Sequence, residues 1–544
     1  MKTPGRFLKK RFVKNAAILT VTSLLLRSVG IFFRVYLSGK IGAEGMGLYQ
    51  LIISIYVLGS TFAAAGITTA VTRMVTDELA RGSVPAVNRV LGRAVQLSVV
   101  IGVLSAGAIY LASDAISLYW IKDARAAPAL KALTVGLPFM GISSCFKGYF
   151  VARRRISGAS RAQLLEQAVR IGVIMLIIDR FAGLGLASAC LAVMIADTVA
   201  EISSCAWLAA GYLLDKRRLA GPDTVAAIAG APNPATPKKP VLKTLAGIAA
   251  PITAGRYLNT TLRTIENILV PDCLARFLLS KEQGLSQFGM LKGMAMPLLF
   301  FPSSFLSALS MLLVPEISEA AALKQKKRVN TAVVRTLHLT LTASALIGCI
   351  FFVFSDELGR LFYKSPEVGF LLKVLAPLLP VMYLESVIDG ILKGLNQQVS
   401  SLIYSFTDSV IRIVLIVLLV PAFGMPGFLF VMVISNLLTS LLNLHRLLKV
   451  TEQKMQWYRW VTGPLLAAAA GGGLAYYLRS LPQLNGLPLL LRLIAGAVVI
   501  TAIYAGLLAV MGCLPKFKRE KPVLKQDDYE TDLTGTGWTF AGAG

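Results

Sequence analysis

Apolar runs of about 20 residues, the length that crosses a ~30 Å hydrocarbon core, recur from residue 14 to residue 512 with short polar breaks between them. The pattern predicts about fourteen spans: 14–37, 47–72, 90–112, 129–152, 160–178, 184–214, 244–270, 286–314, 332–354, 371–394, 401–420, 426–448, 459–479 and 488–512. The expected fold is an all-α integral membrane protein of about fourteen transmembrane helices. The basic residues at the start lead into a long apolar span without a clear small-residue cleavage site, so the first span reads as a retained helix rather than a removed signal.

The spacing of polar residues also divides the chain. "DKRRLAGPDTVAAIAGAPNPATPKKP", residues 215 to 240, is rich in Pro, Ala and Gly and reads as a linker between two bundles. Setting residue i against i+242 pairs Pro138 with Pro380, Ser144 with Ser386, Arg170 with Arg412 and Glu166 with Asp408. An offset of 229 nearer the N-terminus pairs Arg27 with Arg256 and Arg34 with Arg263. Two six-helix parallel repeats follow: an N-lobe over 1–214 and a C-lobe over 244–450, joined by a cytoplasmic linker at 215–243. Helices 13 and 14, in 451–513, have no counterpart, and 514–544 reads as a disordered cytoplasmic tail. Transporters built from such repeats place their substrate between the halves near the midplane.

Composition agrees with the pattern: 55% of residues are hydrophobic, 15% are charged and the mean hydropathy is +0.68. A net charge of +27 raises nucleic acid as a partner, but the cations cluster in alternate loops. With about thirty cations on one side and about nine on the other, the positive-inside rule puts both termini in the cytoplasm. The excess is topological, with contact to anionic membrane lipids, and no nucleic-acid partner is expected. The six cysteines are dispersed without a CxxC spacing and the two histidines, His338 and His445, are far apart, so no metal site is expected.

The chemistry lies in the charges inside spans. Arg27 and Arg34 are seven residues apart, as are Arg256 and Arg263; seven residues return a helix to within about 20°, so each pair shares one face. A charge at a helix centre costs roughly 2.5–3.5 kcal/mol, which predicts a polar cavity between the halves; near a span end, Arg34 has snorkelling to the interface as its alternative. Lys292 adds a cation, and Gln50, Tyr257 and Asn259 are polar candidates for the same wall. Glu166 with Arg170 and Asp408 with Arg412 are spaced i, i+4 with the acid first, which favours ion pairs with a structural or gating role. Asp197 with Glu201, and Glu385 with Asp389, are further i, i+4 sets, able to carry a coupling ion or to pair with Lys147, Lys393 or an arginine. An arginine-lined cavity suits phosphate oxygens. With no GxxxxGKS/T, HExxH or GxSxG motif, the chain reads as no enzyme and needs no cofactor; energy would come from a Na+ or H+ gradient, the membrane potential or the substrate gradient.

The stretch "RSVGIFFRVYLSGKIGAEGMGLYQL", residues 27 to 51, resembles the opening of SpoVB/MurJ-like polysaccharide-biosynthesis flippases in the multidrug/oligosaccharidyl-lipid/polysaccharide flippase superfamily. The resemblance implies a plasma-membrane flippase of bacteria that moves a polyprenyl-diphosphate-linked sugar, lipid II above all, to the outer leaflet. It implies a diphosphate site at Arg27, Arg34 and Lys292, to which the repeat adds Arg256 and Arg263. It also implies a lipid-tail groove on helices 13 and 14, and cell-wall synthesis proteins as partners. "LYQLIISIYVLGS" lacks the second-helix arginine of some members, which fits the SpoVB-like branch and leaves teichoic-acid, capsule and spore-cortex precursors as alternative cargo. A multidrug or cation antiporter would want acids where these arginines stand.

Overall fold

The computed structural model describes residues 4–219, 240–479 and 488–514, so the core of the expected linker and nearly all of the expected tail lie outside the described residues. The described chain is helical, with no strand. The first part comprises α1 (Pro4–Ala64), α2 (Ile67–Ala80), α3 (Val84–Ala115), α4 (Ala127–Thr134), α5 (Gly136–Ala152), α6 (Ile156–Ala182) and α7 (Leu186–Leu219). The second comprises α8 (Val241–Leu278), α9 (Lys281–Phe288), α10 (Met296–Phe300), α11 (Ser303–Ala322), α12 (Lys326–Val353), α13 (Ser355–Tyr363), α14 (Pro366–Leu375), α15 (Leu379–Gly394) and α16 (Gln398–Thr451). The last pair is α17 (Gly463–Arg479) and α18 (Leu489–Val510).

Two helices are too long to be single rods. The 54 residues of α16 would extend about 81 Å if straight. They do not, because Gly424 takes φ +62° between Pro421 and Pro426 and the chain doubles back there. The Arg412 Nε donates to Ser435 Oγ at 2.8 Å, a contact that only a hairpin permits between residues 23 apart in sequence. Gly42, at φ +69°, likewise breaks the 61-residue α1 into an arm ending at Ile41 and a second arm beginning at Ala43. Glycine is used at both breaks because side chains are strained at positive φ.

Seven described helices are long and apolar enough to span a membrane alone, or eight when the pair Ala124–Thr134 and Gly136–Ala152, bent by 42°, counts as one span. The expectation of fourteen is larger for several physical reasons, among them that expected span 286–314 is broken into α9, α10 and α11 and that α17 has only 17 residues. Thr22–Ala80 and Gln398–Thr451 each hold more than one expected span, and α6 and α8 carry the buried charges described below, which lower their apolarity. The helix α7 continues to Leu219, so the first residues of the expected linker are helical. There Asp215, 3% exposed, accepts a hydrogen bond from Tyr149 Oη at 2.8 Å and pairs with Arg153 at 3.2 Å and with Arg155.

The second arm of α1 meets α8 along one seam. Gly66 N donates to Thr253 Oγ1 at 3.1 Å, Arg256 Nη1 to Ala65 O at 3.4 Å, Thr264 Oγ1 to Ser54 O at 3.2 Å and Asn267 Nδ2 to Ser54 Oγ at 3.0 Å. Numbers fall on one helix as they rise on the other, so the two run antiparallel. At one end of the seam a Cβ on Gly66 would lie 2.2 Å from Ala249 O; at the other, one on Gly289 would lie 2.0 Å from Ala43 O and one on Gly47 2.2 Å from Leu285 O. Backbones approach this closely only where side chains are missing. The pair α17 and α18 packs on α12, where Tyr504 Oη donates to Thr342 O at 2.8 Å and Cys349 Sγ to Ala468 O at 3.1 Å.

Candidate functional site

Between the two glycine contacts the seam opens into a cavity of ≈ 620 Å³. Gln50, Ser54, Ser60, Thr61 and Thr68 of α1 and α2 form one wall, with Ser144 of α5 beside them. The facing wall is one stripe of α8: Arg256, Asn259, Thr260, Arg263, Thr264 and Asn267. Their spacing of three and four residues aims them in one direction. Arg263 is exposed to this space and makes no hydrogen bond or ion pair among the described residues, while Arg256 has only the Ala65 carbonyl. No acid lines the cavity, so its charge is +2. It offers two guanidinium forks and several hydroxyl and amide groups, a set that binds a phosphorylated anion.

The expected cationic set divides in three. Arg256 and Arg263 line the cavity, and Gln50 and Asn259 lie in its walls as expected for polar candidates. Arg27 and Arg34 lie outside that lining: Arg27 Nη1 donates to Ser304 Oγ of α11 at 3.2 Å, and Arg34 is half-buried without an ion pair among the described residues. Lys292 departs most from expectation. Its Nζ lies 3.3 Å from Glu266 Oε1, because an ammonium held in apolar surroundings takes the nearest buried carboxylate.

Glu266, which the sequence reading passed over, is the hub of a buried network. It is 4% exposed and holds Lys292 at 3.3 Å and Arg412 at 3.2 Å. Arg412 also pairs with Asp408 at 2.5 Å, and Ser435 Oγ donates to the other Asp408 oxygen at 2.5 Å. Two acids thus balance two bases inside the second half. The available signal was a lone glutamate in the middle of "TLRTIENILV", at 3.6-residue register with Arg263.

The first half carries a related cluster. Arg170 pairs with Glu166 at 3.2 Å and with Asp197 at 2.5 Å, and donates to Gln167 Oε1 at 2.8 Å. Glu201 is buried one turn along from Asp197, and its Oε2 has no hydrogen-bond partner among the described residues. In each half, then, an acid–arginine pair spaced i, i+4 reaches across to the following helix. Lys393 closes on Asp389 at 2.5 Å. No group of three or more metal-ligating side chains occurs among the described residues.

A family profile described as Polysaccharide biosynthesis protein matches residues 12–321, more than half of the chain. The chain belongs to that family. A second profile, MatE, matches residues 285–418. Among relatives, Stage V sporulation protein B of Bacillus subtilis (strain 168) is 26% identical over 444 residues, covering 81% of this chain and 84% of its own length. Lipid II flippase MurJ of the same organism is 23% identical over 448 residues, covering 77% of this chain and 79% of its own length. An inward-facing multidrug resistance MATE family transporter of the MOP superfamily shares the fold at TM-score 0.60 and 14% identity, over 80% of this chain and all of that one. A MOP superfamily transporter from Pyrococcus furiosus matches at TM-score 0.56 and 14% identity, over 81% of this chain and 97% of its own. The chain is therefore a multi-pass membrane protein of the polysaccharide-biosynthesis family, with the fold of the MATE transporters.

Proposed function

We propose that the chain is a flippase that carries a polyprenyl-diphosphate-linked saccharide, lipid II first among candidates, from the cytoplasmic to the outer leaflet. The observation that carries this reading is the cavity between α1 and α8, which Arg256 and Arg263 line and no carboxylate lines. A diphosphate supplies the missing negative charge, the hydroxyl and amide groups of the walls suit a sugar, and the lipid chain stays in the membrane. Alternating access follows if the two halves rock about the seam, parting the Gly66/Ala249 contact in one state and the Gly47/Leu285 contact in the other. The Glu166–Arg170–Asp197 and Glu266–Lys292–Arg412–Asp408 clusters hold each half rigid during that motion and are the candidate sites for a coupling ion.

Purified protein in proteoliposomes tests the reading. Protein-dependent movement of a short-chain polyprenyl-diphosphate sugar across the bilayer, with no uptake of cationic dyes, is the expected result. Dye transport without movement of the lipid-linked sugar makes the chain a multidrug exporter instead. Because one relative is named as a sporulation protein, the sugar panel should include precursors of the spore cortex.

A further inference from the structure

A second hollow, of ≈ 360 Å³, lies on the adjacent face of α8 and shares Thr264 with the cationic cavity. Its α8 stripe is Tyr257, Thr261, Ile265, Ile268 and Leu269, about a third of a turn or more around from the Arg256/Arg263 stripe. Leu58 closes it from α1, and Tyr119 and Trp120, in the π-helical turn Ile116–Ile121 after α3, close it from the side. Tyr119 is 76% and Trp120 53% exposed, and Tyr257 is edge-on to the exposed Phe62 at 5.8 Å. At one end the hollow stops at an ion pair between Lys122 and Asp272, 2.7 Å apart. Exposed tyrosine and tryptophan beside such a charged pair mark the level where hydrocarbon gives way to headgroups.

We propose that this groove seats the first isoprene units of the substrate's lipid chain while its diphosphate lies on Arg256 and Arg263. The proposal rests on the flippase reading. A diphosphate bound in the cavity must pass its chain to the bilayer without dragging it across the polar walls. The groove is the apolar surface continuous with the arginine stripe: Arg256 and Tyr257 are neighbours in sequence, and Thr264 faces both spaces. Flat aromatic and branched aliphatic side chains offer a methyl-bearing, unsaturated chain contact area at little conformational cost. The Lys122–Asp272 pair joins the end of α3 to α8 across the seam, so it bounds the groove only while that side of the seam is closed. The chain is then held in one state and released when the halves rock apart.

Photolabelling of the full chain in nanodiscs tests this, using a prenyl diphosphate that carries a diazirine in its first isoprene units. The expected adducts fall at Tyr119, Trp120 and residues 257–269. They are displaced by unlabelled prenyl diphosphate and by inorganic pyrophosphate, but not by excess phosphatidylglycerol. Ile268→Trp, which fills the groove, should cut labelling about tenfold while the melting temperature stays within a degree or so of wild type. Pyrophosphate-sensitive adducts on α17 and α18 instead would overturn the groove and leave the flippase reading standing. Displacement by phosphatidylglycerol would show an ordinary lipid chain there and also overturn it. Labelling that ignores prenyl diphosphate and pyrophosphate everywhere would remove the flippase reading, and the groove with it.

Discussion

Arg263 and Glu266 lie one helical turn apart on α8 and have opposite fates. Arg263 faces open space and makes no hydrogen bond or ion pair among the described residues, so the fold depends on its charge only through its field on Glu266 and Glu385. Arg263→Ala should leave thermal stability in detergent nearly unchanged and weaken binding of a prenyl diphosphate by about 10- to 100-fold, the worth of one charge-assisted hydrogen bond; calorimetry in parallel with a melting curve checks both halves. Glu266 is the counter-ion of both Lys292 and Arg412. Glu266→Gln removes the acid shared by the half-buried Lys292 and Arg412, leaving Arg412 with Asp408 and the field of Glu385, and should destabilise the protein, read as a fall in melting temperature. Outside the spans, burial disfavours ionised Asp123, but hydrogen bonds from the Arg125 side chain and backbone outweigh it and hold its carboxyl below the ordinary 3.8. A lowered acid contributes stability above its unfolded-state value and loses it as pH falls through the folded one. The 123–125 turn should therefore hold its full protection from hydrogen exchange above about pH 4 and lose it below, and Asp123→Asn should remove that pH dependence.

At the scale of elements, the seam between α1 and α8 walls the cavity and, on the proposed function, is where the two halves part. Thr61 Oγ1 and Thr260 Oγ1 lie 3.4 Å apart across it. In a chain whose native cysteines are replaced, Thr61→Cys with Thr260→Cys should cross-link on oxidation, stop translocation and recover with reductant; a cross-linked protein that still transports would mean that the seam does not open. Apolar run lengths made the helices legible in the sequence, and i, i+4 spacing made the Glu166–Arg170 and Asp408–Arg412 pairs legible, because both are properties of one helix. What joins separate helices was not legible. Lys292 read as a cavity cation because its partner Glu266 is 26 residues away on another helix; the break near Gly424 was legible as the gap between spans 401–420 and 426–448, but the Arg412–Ser435 contact across it was not. The arginines of α8 do line the cavity, whose stripe repeats every three to four positions; their role as substrate ligands is the proposal. Those of α1 shared that periodicity, yet they face other surroundings.

At the scale of the molecule, two halves with related charge clusters enclose a cavity whose net charge is positive, in a fold shared with MATE transporters. Fold alone therefore does not choose the cargo; the sign of the cavity does. The most direct test measures lipid II in the outer leaflet of cells depleted of their own flippase and expressing this protein as wild type, Arg256→Ala or Arg263→Ala at matched membrane levels. The account predicts that wild type restores outer-leaflet lipid II and that both variants fail to. Restoration by both variants as fully as by wild type would contradict it.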